Sequence, residues 1–487
     1  MVSSRTLRCI RGPTVELAIA GLAAIIGAGC GGDTDVSACI LPDPADRRPL
    51  RQEAYIKAPA EASKKSVFGV PVALSADGRT LAVGARDDPS GALGVGADAA
   101  DRSQPGAGAV YIFAHDGSRW AQQAYLKPSN KYALVGFGSA LAISRTGDTL
   151  IVGVPDDSNA KLRPGGPSAG SAVVFQRAGT TWSEEAYLRS SRAVGGANFG
   201  TSVALTDSGD TAVVGAPDDP GGDDAPCEGE VKPLSSVPPC PGAVTVFAKL
   251  EGRWRERTIL EPPTWGVQAS STAAHMGIRV AISGDGSVVA ALAQGSVLTY
   301  TGGAKWEFEA SVVATPGTSA GSWLRLAMAS DGRTLAVGEP ESDRVEVYTR
   351  LDRQLRQSAV VQSLATRPGA GVGGAIALSA SGTALAVGAF RDSGGEGGTN
   401  PNPCGVRVGV AGAAYLFTLD AGGWKERAFI KSRAVHENAY FGGSVALDGR
   451  GAAMAIGAGG DPSAAWGIDG DENDSSSPFA GAAYVFR

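Results

Sequence analysis

The sequence predicts an all-β chain folded as a seven-bladed β-propeller of four-stranded blades, with the ring closed by an N-terminal strand. Three observations carry that prediction. From about residue 47 a unit recurs in which two short apolar runs flank a tight turn, with turn glycines at Gly78, Gly147, Gly209, Gly286, Gly332, Gly382 and Gly451. Glycine suits a hairpin turn because it supplies positive φ without a steric penalty. In register with these turns, the first run carries Ala73, Ala142, Ala204, Ala281, Ala327, Ala377 and Ala446, and the third ends in Phe113, Phe175, Phe247, Tyr300, Tyr348, Phe417 and Phe486. Small residues fit strands that converge on an axis and aromatics fit the wider space between blades. Finally, the last unit stops at Arg487 after its third run, while Leu50 to Lys57 repeats the pattern of Trp120 to Lys127. That N-terminal strand is expected to complete the last blade and remove two open sheet edges.

Composition agrees. Among 487 residues, 69 Gly and 28 Pro stay below the level of aperiodic low-complexity chains, and 43% hydrophobic residues can fill a core. No Gly-X-Y period or sustained heptad pattern is present, which excludes collagen and a coiled coil. The chain exceeds the roughly 250 to 300 residues over which one core grows, so a small repeated unit accounts for its length. A net charge of −6 without a basic cluster argues against nucleic acid as a partner.

In chain order, residues 1–29 read as a signal peptide: Arg5, Arg8 and Arg11 precede a short apolar stretch from Leu17 to Ala28. Ile26-Gly27-Ala28-Gly29-Cys30, followed by Gly31-Gly32-Asp33, resembles a bacterial lipobox, which implies lipidation of Cys30 and a lipid-anchored tether over residues 30–46. Gly27 stands where Leu is usual, so cleavage as an ordinary signal peptide is the alternative. Loss of residues 1–29 leaves 40 basic and 48 acidic residues, an acidic protein held at a membrane of the bacterial envelope, at the outer membrane or cell surface. Four cysteines then remain besides Cys30. Cys227 and Cys240 close a short Pro/Gly-rich loop suited to a disulfide in an oxidising compartment; no CxxC or paired His favours a metal there. Cys39 with Cys404 follows only from parity.

Residues 47–487 form the propeller. Its first unit runs Phe68-Gly69, VALSADGRTLAVGA, an insert, GAVYIF and WAQQAYLK, which implies four strands. The fourth run opens on Trp120, Trp182, Trp254, Trp306 and Trp424, with Leu355 in one unit. Long inserts precede the third run in five units, and second-to-third loops share a face with blade-to-blade connections. One face is therefore expected to be decorated. Asp88, Asp157, Asp219, Asp392 and Asp461 fall at one position just after the second run. They imply either five turn caps or a partial ring of carboxylates able to bind a cation or ligand. Asp469-Gly470-Asp471-Glu472-Asn473-Asp474 is the densest acidic run, a solvated loop or a calcium loop.

Phe68-Gly69, Phe137-Gly138, Phe199-Gly200, Phe441-Gly442 and Gly215-Ala216-Pro217 resemble the FG-GAP repeat, found in the head of integrin α chains and in many bacterial surface proteins. Gly153-Val154-Pro155 and Gly338-Glu339-Pro340 are near matches, while the units around Met276-Gly277 and Ser322-Trp323 depart most. The resemblance implies a propeller, and it defines a repeat and not one activity. Calcium-binding members carry a DxDxDG-type hairpin loop; here Ser75-Ala76-Asp77-Gly78 offers one carboxylate, so no metal and no cofactor is expected. His115, His275 and His436 sit in unrelated positions, and Gly369 to Gly374 matches GxGxxG between two strands with no helix to receive phosphate. The expected protein is a non-enzymatic monomer that binds a surface protein or polysaccharide through its insert-bearing face. A structural scaffold without a ligand is the alternative, and a hydrolase or lyase a weaker one.

Overall fold

The computed structural model describes residues 50–59, 66–131, 134–158, 169–192, 194–221, 240–263, 275–293, 295–303, 305–314, 324–363, 367–403 and 406–487. The signal segment, the tether with Cys30, and Cys39, Cys227 and Cys404 lie outside them. Within the unit Ala38–Arg487 the strands form seven antiparallel sheets. Blade 1 is Phe68–Leu74, Thr80–Ala85, Ala109–His115 and Trp120–Leu126, paired in that order from the axis outward. Blades 2 to 6 repeat the order, and blade 6 adds Gly398–Thr399 outside its fourth strand, Gly423–Lys431. The two divergent units also fold as full blades: Arg279–Ile282 begins blade 4 and Arg325–Met328 begins blade 5, each followed by three partners.

Blade 7 shows how the ring closes. Phe441–Leu447, Met454–Ala458 and Ala482–Phe486 take their outer strand from the other end of the chain, Gln52–Ile56, with Tyr55 opposite Tyr484 and Ile56 opposite Ala483. Backbone bonds between Arg51 and Arg487, 2.7 and 2.9 Å, extend that pairing. The predicted closure is therefore present.

At the axis, each first strand touches the first strands of both neighbouring blades, blade 7 against blade 1 included. Below them the hairpin turns are bonded head to tail. The N–H of Ala76 donates to Arg145, Arg145 to Asp207, Asp207 to Gly284, Gly284 to Ser330, Ser330 to Ala380, Ala380 to Gly449, and Gly449 back to the carbonyl of Ala76, all at 2.8–3.1 Å. Seven backbone groups satisfy one another in a closed circle, which fixes the blade number independently of side chains.

The FG and GAP glycines have a shared cause. A β-carbon on Gly457, in the second strand of blade 7, would stand 1.8 Å from the carbonyl oxygen of Gly69, the FG glycine of blade 1. The same approach joins Gly215 to Gly277 and Gly388 to Gly442. Backbone thus packs on backbone between blades, leaving no room for a side chain. The FG phenylalanine pairs as an isolated parallel bridge with the glycine before the third strand of the preceding blade: Phe137 with Gly108, Phe199 with Gly170, Phe441 with Gly412 and Phe68 with Gly481. Its ring meets the third-strand aromatic of its own blade edge-on, as in Phe137–Phe175 and Phe199–Phe247 at 6.0 and 6.1 Å. The third-strand aromatics are buried in all seven blades. At the outer edge, the indole N–H of Trp120, Trp182 and Trp254 donates to Glu53, Gln123 and Glu185, one aligned position on the preceding blade.

Candidate ligand-binding face

The aligned aspartates sit where the inserts leave the second strands, and their surroundings show why that residue recurs. All five are buried. Each main-chain carbonyl accepts the N–H of the glycine that ends its own insert, Asp88 from Gly108, Asp392 from Gly412 and Asp461 from Gly481 among them, at 2.9–3.0 Å. Oδ1 accepts a backbone N–H two residues on in blades 1, 3, 6 and 7, from Ser90, Gly221, Gly394 and Ser463. The main-chain carbonyl therefore fastens the end of the insert and, in those four blades, the carboxylate fastens its start.

The remaining lone pairs face the same blade's outer strands. Asp461 accepts from the hydroxyls of Tyr55 and Tyr484 and from Lys57 Nζ at 2.7–2.9 Å. Asp88 accepts from Tyr111 and Tyr125 at 2.9 and 3.0 Å, with Lys127 Nζ on the carbonyls of Ser90 and Gly108. Asp392 takes Lys431 Nζ at 2.7 Å, Asp157 takes the Tyr187 hydroxyl, and Asp219 takes Arg192 at 3.2 Å. The five carboxylates are brought to one level of the ring but point into separate blades, engaged by neighbours, and form no shared open cluster. Among the described residues no group of three or more His, Cys, Asp or Glu side chains is placed to hold a metal ion.

Burial shifts the bases of these modules. It lowers Lys57 and Lys431 despite their aspartate partners, and it brings Lys127 down to about 8 from 10.5. Between pH 8 and 10 the unfolded chain holds the Lys127 proton more tightly than the folded one, so stability rises with pH across that window. Thermal unfolding followed from pH 8 to pH 10 is expected to show a gain of roughly 2 kcal/mol from this group, and Lys127→Met to flatten it. Burial raises Tyr111 and Tyr125 above 10, which opposes the gain only at higher pH.

Three inserts do more than decorate a face. In blades 1, 6 and 7 they fold back over the outer strand of their own blade: Gly96, Asn400 and Asp469 each donate their N–H to the carbonyls of Tyr125, Phe429 and Tyr55, at 2.9, 2.6 and 2.7 Å. The acidic run lies in this cover. Asp469 Oδ1 accepts the Tyr55 N–H, Glu472 takes Gln52, and Asp474 caps Ala464 and Ser476. Its backbone pairs with the edge of the closing strand, while Asp469, Asp471 and Asn473 stay exposed.

These inserts also expose apolar side chains. Trp466 and Phe479 of blade 7, Val406 of blade 6, and Leu93 and Val95 of blade 1 are 66, 49, 79, 46 and 37% exposed, on three blades that are consecutive around the closed ring. Trp466 and Leu93 occupy equivalent positions, each followed by a glycine that pairs with the outer strand. A cleft of about 260 Å³ lies between the connection His436-Glu437-Asn438 and the blade 7 insert at Pro462, Ser475 and Phe479. A larger one, about 400 Å³, lies at the rim of blades 4 and 5, lined by Arg350, Glu309, Arg353 and Glu307. Within it Arg350 grips Glu309 at 2.6 and 2.8 Å, and Lys305 also lines the cleft. His115, His275 and His436 are separate: His275 pairs with Asp218 at 2.8 Å, His115 lies 3.5 Å from Glu53, and His436 bonds the carbonyl of Glu472. Cys240 is disulfide-bonded, with its expected partner Cys227 outside the described residues.

Residues 182–231 match the family model of the FG-GAP repeat. The chain is a β-propeller that carries the FG-GAP repeat. No curated protein matches it significantly. Among solved structures, this FG-GAP propeller is similar to the β-propeller domain of Cps50 (Swd1) from Myceliophteria thermophila, with a TM-score of 0.51 and 12% identity over 90% of this chain and 99% of that one. A protein from Lactobacillus plantarum aligns with a TM-score of 0.44 and 14% identity over 71% and 84% of the two chains. At such identities the likeness is one of fold.

Proposed function

We propose that the protein is a lipid-anchored binding protein of the bacterial cell envelope, which engages a surface protein or polysaccharide through the inserts of blades 6, 7 and 1. The observation that carries this reading is that, among the described residues, those three inserts expose large apolar side chains, Trp466, Phe479 and Val406 foremost. Exposed aromatics on a framework fixed by buried hydrogen bonds present contact area at low entropic cost, the character of a recognition surface. The lipobox-like segment ending at Cys30 supports the anchor.

The test has two arms. A soluble form starting at Arg47 is measured for retention on the envelope fraction of the cells that make it, beside the variant Leu93→Ala/Trp466→Ala/Phe479→Ala. Loss of these three side chains lowers affinity by about tenfold or more; unchanged retention would overturn the proposed surface. In the full chain, Cys30→Ala is expected to move the protein from the membrane to the soluble fraction, and unchanged fractionation would remove the anchor.

A further inference from the structure

Residues 369–374, the run that matches GxGxxG, lead into the first strand of blade 6, Val372–Leu378, and Val372-Gly373 stands there in the place of Phe-Gly. In blades 2, 3 and 7 the phenylalanine at that place donates its N–H to the preceding blade: Phe137 to the carbonyl of Ala107, Phe199 to Ala169 and Phe441 to Ala411, at 3.0–3.3 Å. Those carbonyls end the inserts of blades 1, 2 and 6. Blade 5 has no insert. Residues 340–343 alone join its second strand, Thr334–Glu339, to its third, Arg344–Leu351.

Asp343 therefore stands just before the third strand, where other blades have Gly108, Gly170, Gly412 and Gly481, and it keeps a left-handed backbone, with φ of 49° against their 81–86°. Its side chain takes over the bond that the insert carbonyl makes elsewhere. Oδ1 accepts the N–H of Val372 at 2.9 Å and that of Gly371 at 2.7 Å, and Oδ2 accepts that of Gly369. Gly369 and Gly371, at φ of 83° and 73°, turn the chain so that N–H groups on both sides of Ala370 converge on one carboxylate. Bonds from N–H groups to a charged acceptor are stronger than those to a neutral carbonyl. The same junction is tied by Glu341, which pairs with Arg391 at 3.1 Å, while the Arg391 N–H donates to the carbonyl of Ala370 at 2.9 Å.

We infer that residues 369–372 are a carboxylate-binding nest, that Asp343 is its built-in ligand, and that the nest freed of this side chain takes a small carboxylate from solution. Gly369 is exposed and Asp343 half-buried, so the nest opens to solvent. The glycine run thus binds an anion, through a turn and not through a helix. It lies at the junction of blades 5 and 6 and does not depend on the binding surface proposed for the inserts of blades 6, 7 and 1.

Asp343→Ala is compared with the wild type by thermal unfolding and by amide exchange at Gly371 and Val372, each in sodium formate and in sodium chloride at equal ionic strength. In chloride the variant should melt a few degrees lower, and both amides should exchange about tenfold faster or more, because their charged acceptor is gone. Formate should raise the variant's midpoint saturably and slow that exchange, and it should leave the wild type, whose nest is filled, as it is in chloride. A variant that melts with the wild type, or that formate protects no better than chloride, overturns the proposal. Should Asp343→Ala fail to fold, Asp343→Asn decides. Asn tolerates left-handed backbone and keeps one acceptor oxygen, so a lower midpoint with faster exchange at Gly369 supports the charged nest, and behaviour equal to wild type overturns it.

Discussion

Deleting residues 47–58 opens the ring and is expected to lower the unfolding midpoint more than any single substitution. The segment contributes the whole outer strand of blade 7, with Leu50, Tyr55 and Ile56 buried among residues of blades 6, 7 and 1. Three large side chains of this kind stabilise by about 5–9 kcal/mol, taken as an upper bound. The deletion also strips Asp461 of the Tyr55 hydroxyl and the Lys57 ammonium, leaving a buried carboxylate with one tyrosine and one backbone donor. The third strand of blade 7 then becomes an exposed edge, so aggregation should accompany the loss. Circular dichroism melts of the two proteins give the comparison. A peptide of residues 47–58 added in trans should restore part of the midpoint, and coincident melts would show that the strand does not close the ring.

The second large effect belongs to Gly457→Ala. The added methyl carbon would stand 1.8 Å from the carbonyl oxygen of Gly69 and 2.9 Å from its carbon, so two backbones must separate, and the seam in question is the one between blades 7 and 1. Overpacking against rigid backbone costs about 3 kcal/mol or more, several degrees in the midpoint of a chain this size. Gly303 is the control: nothing lies within 4 Å of its would-be β-carbon, and Gly303→Ala should stay within about 0.5 kcal/mol of wild type. Equal melts for the two alanine variants would remove the inter-blade explanation of the repeated glycines.

Blade type, blade number and closure were legible because each rests on a local rule that repeats. A turn glycine, a small axial residue and a third-strand aromatic recur in every unit, and Leu50 to Lys57 supplies the fourth run missing from the last unit. The five aspartates were legible as a position but not as a module. Their partners lie on the third and fourth strands, Tyr111 and Tyr484 on one, Tyr55, Tyr125, Lys57, Lys127 and Lys431 on the other. The Tyr-x-Lys ending of the fourth run was the signal for them, but it reads equally as a half-exposed amphipathic strand until folding places it against the aspartate. The acidic run at Asp469 reads from its composition as a solvated loop, and Asp469, Asp471 and Asn473 are exposed; its backbone pairing with Tyr55 had no signal in the sequence.

The circle of turn hydrogen bonds at the axis has a bearing on how the molecule comes apart. In a linear repeat array the terminal units have one neighbour, and disorder enters from there. Here every blade has two, and Gln52–Ile56 is zipped to Ala482–Phe486 inside blade 7. Fraying has nowhere to begin. Amide exchange at Ala76, Arg145, Asp207, Gly284, Ser330, Ala380 and Gly449 should therefore proceed at nearly one rate, set by rupture of the whole circle instead of by distance from a terminus.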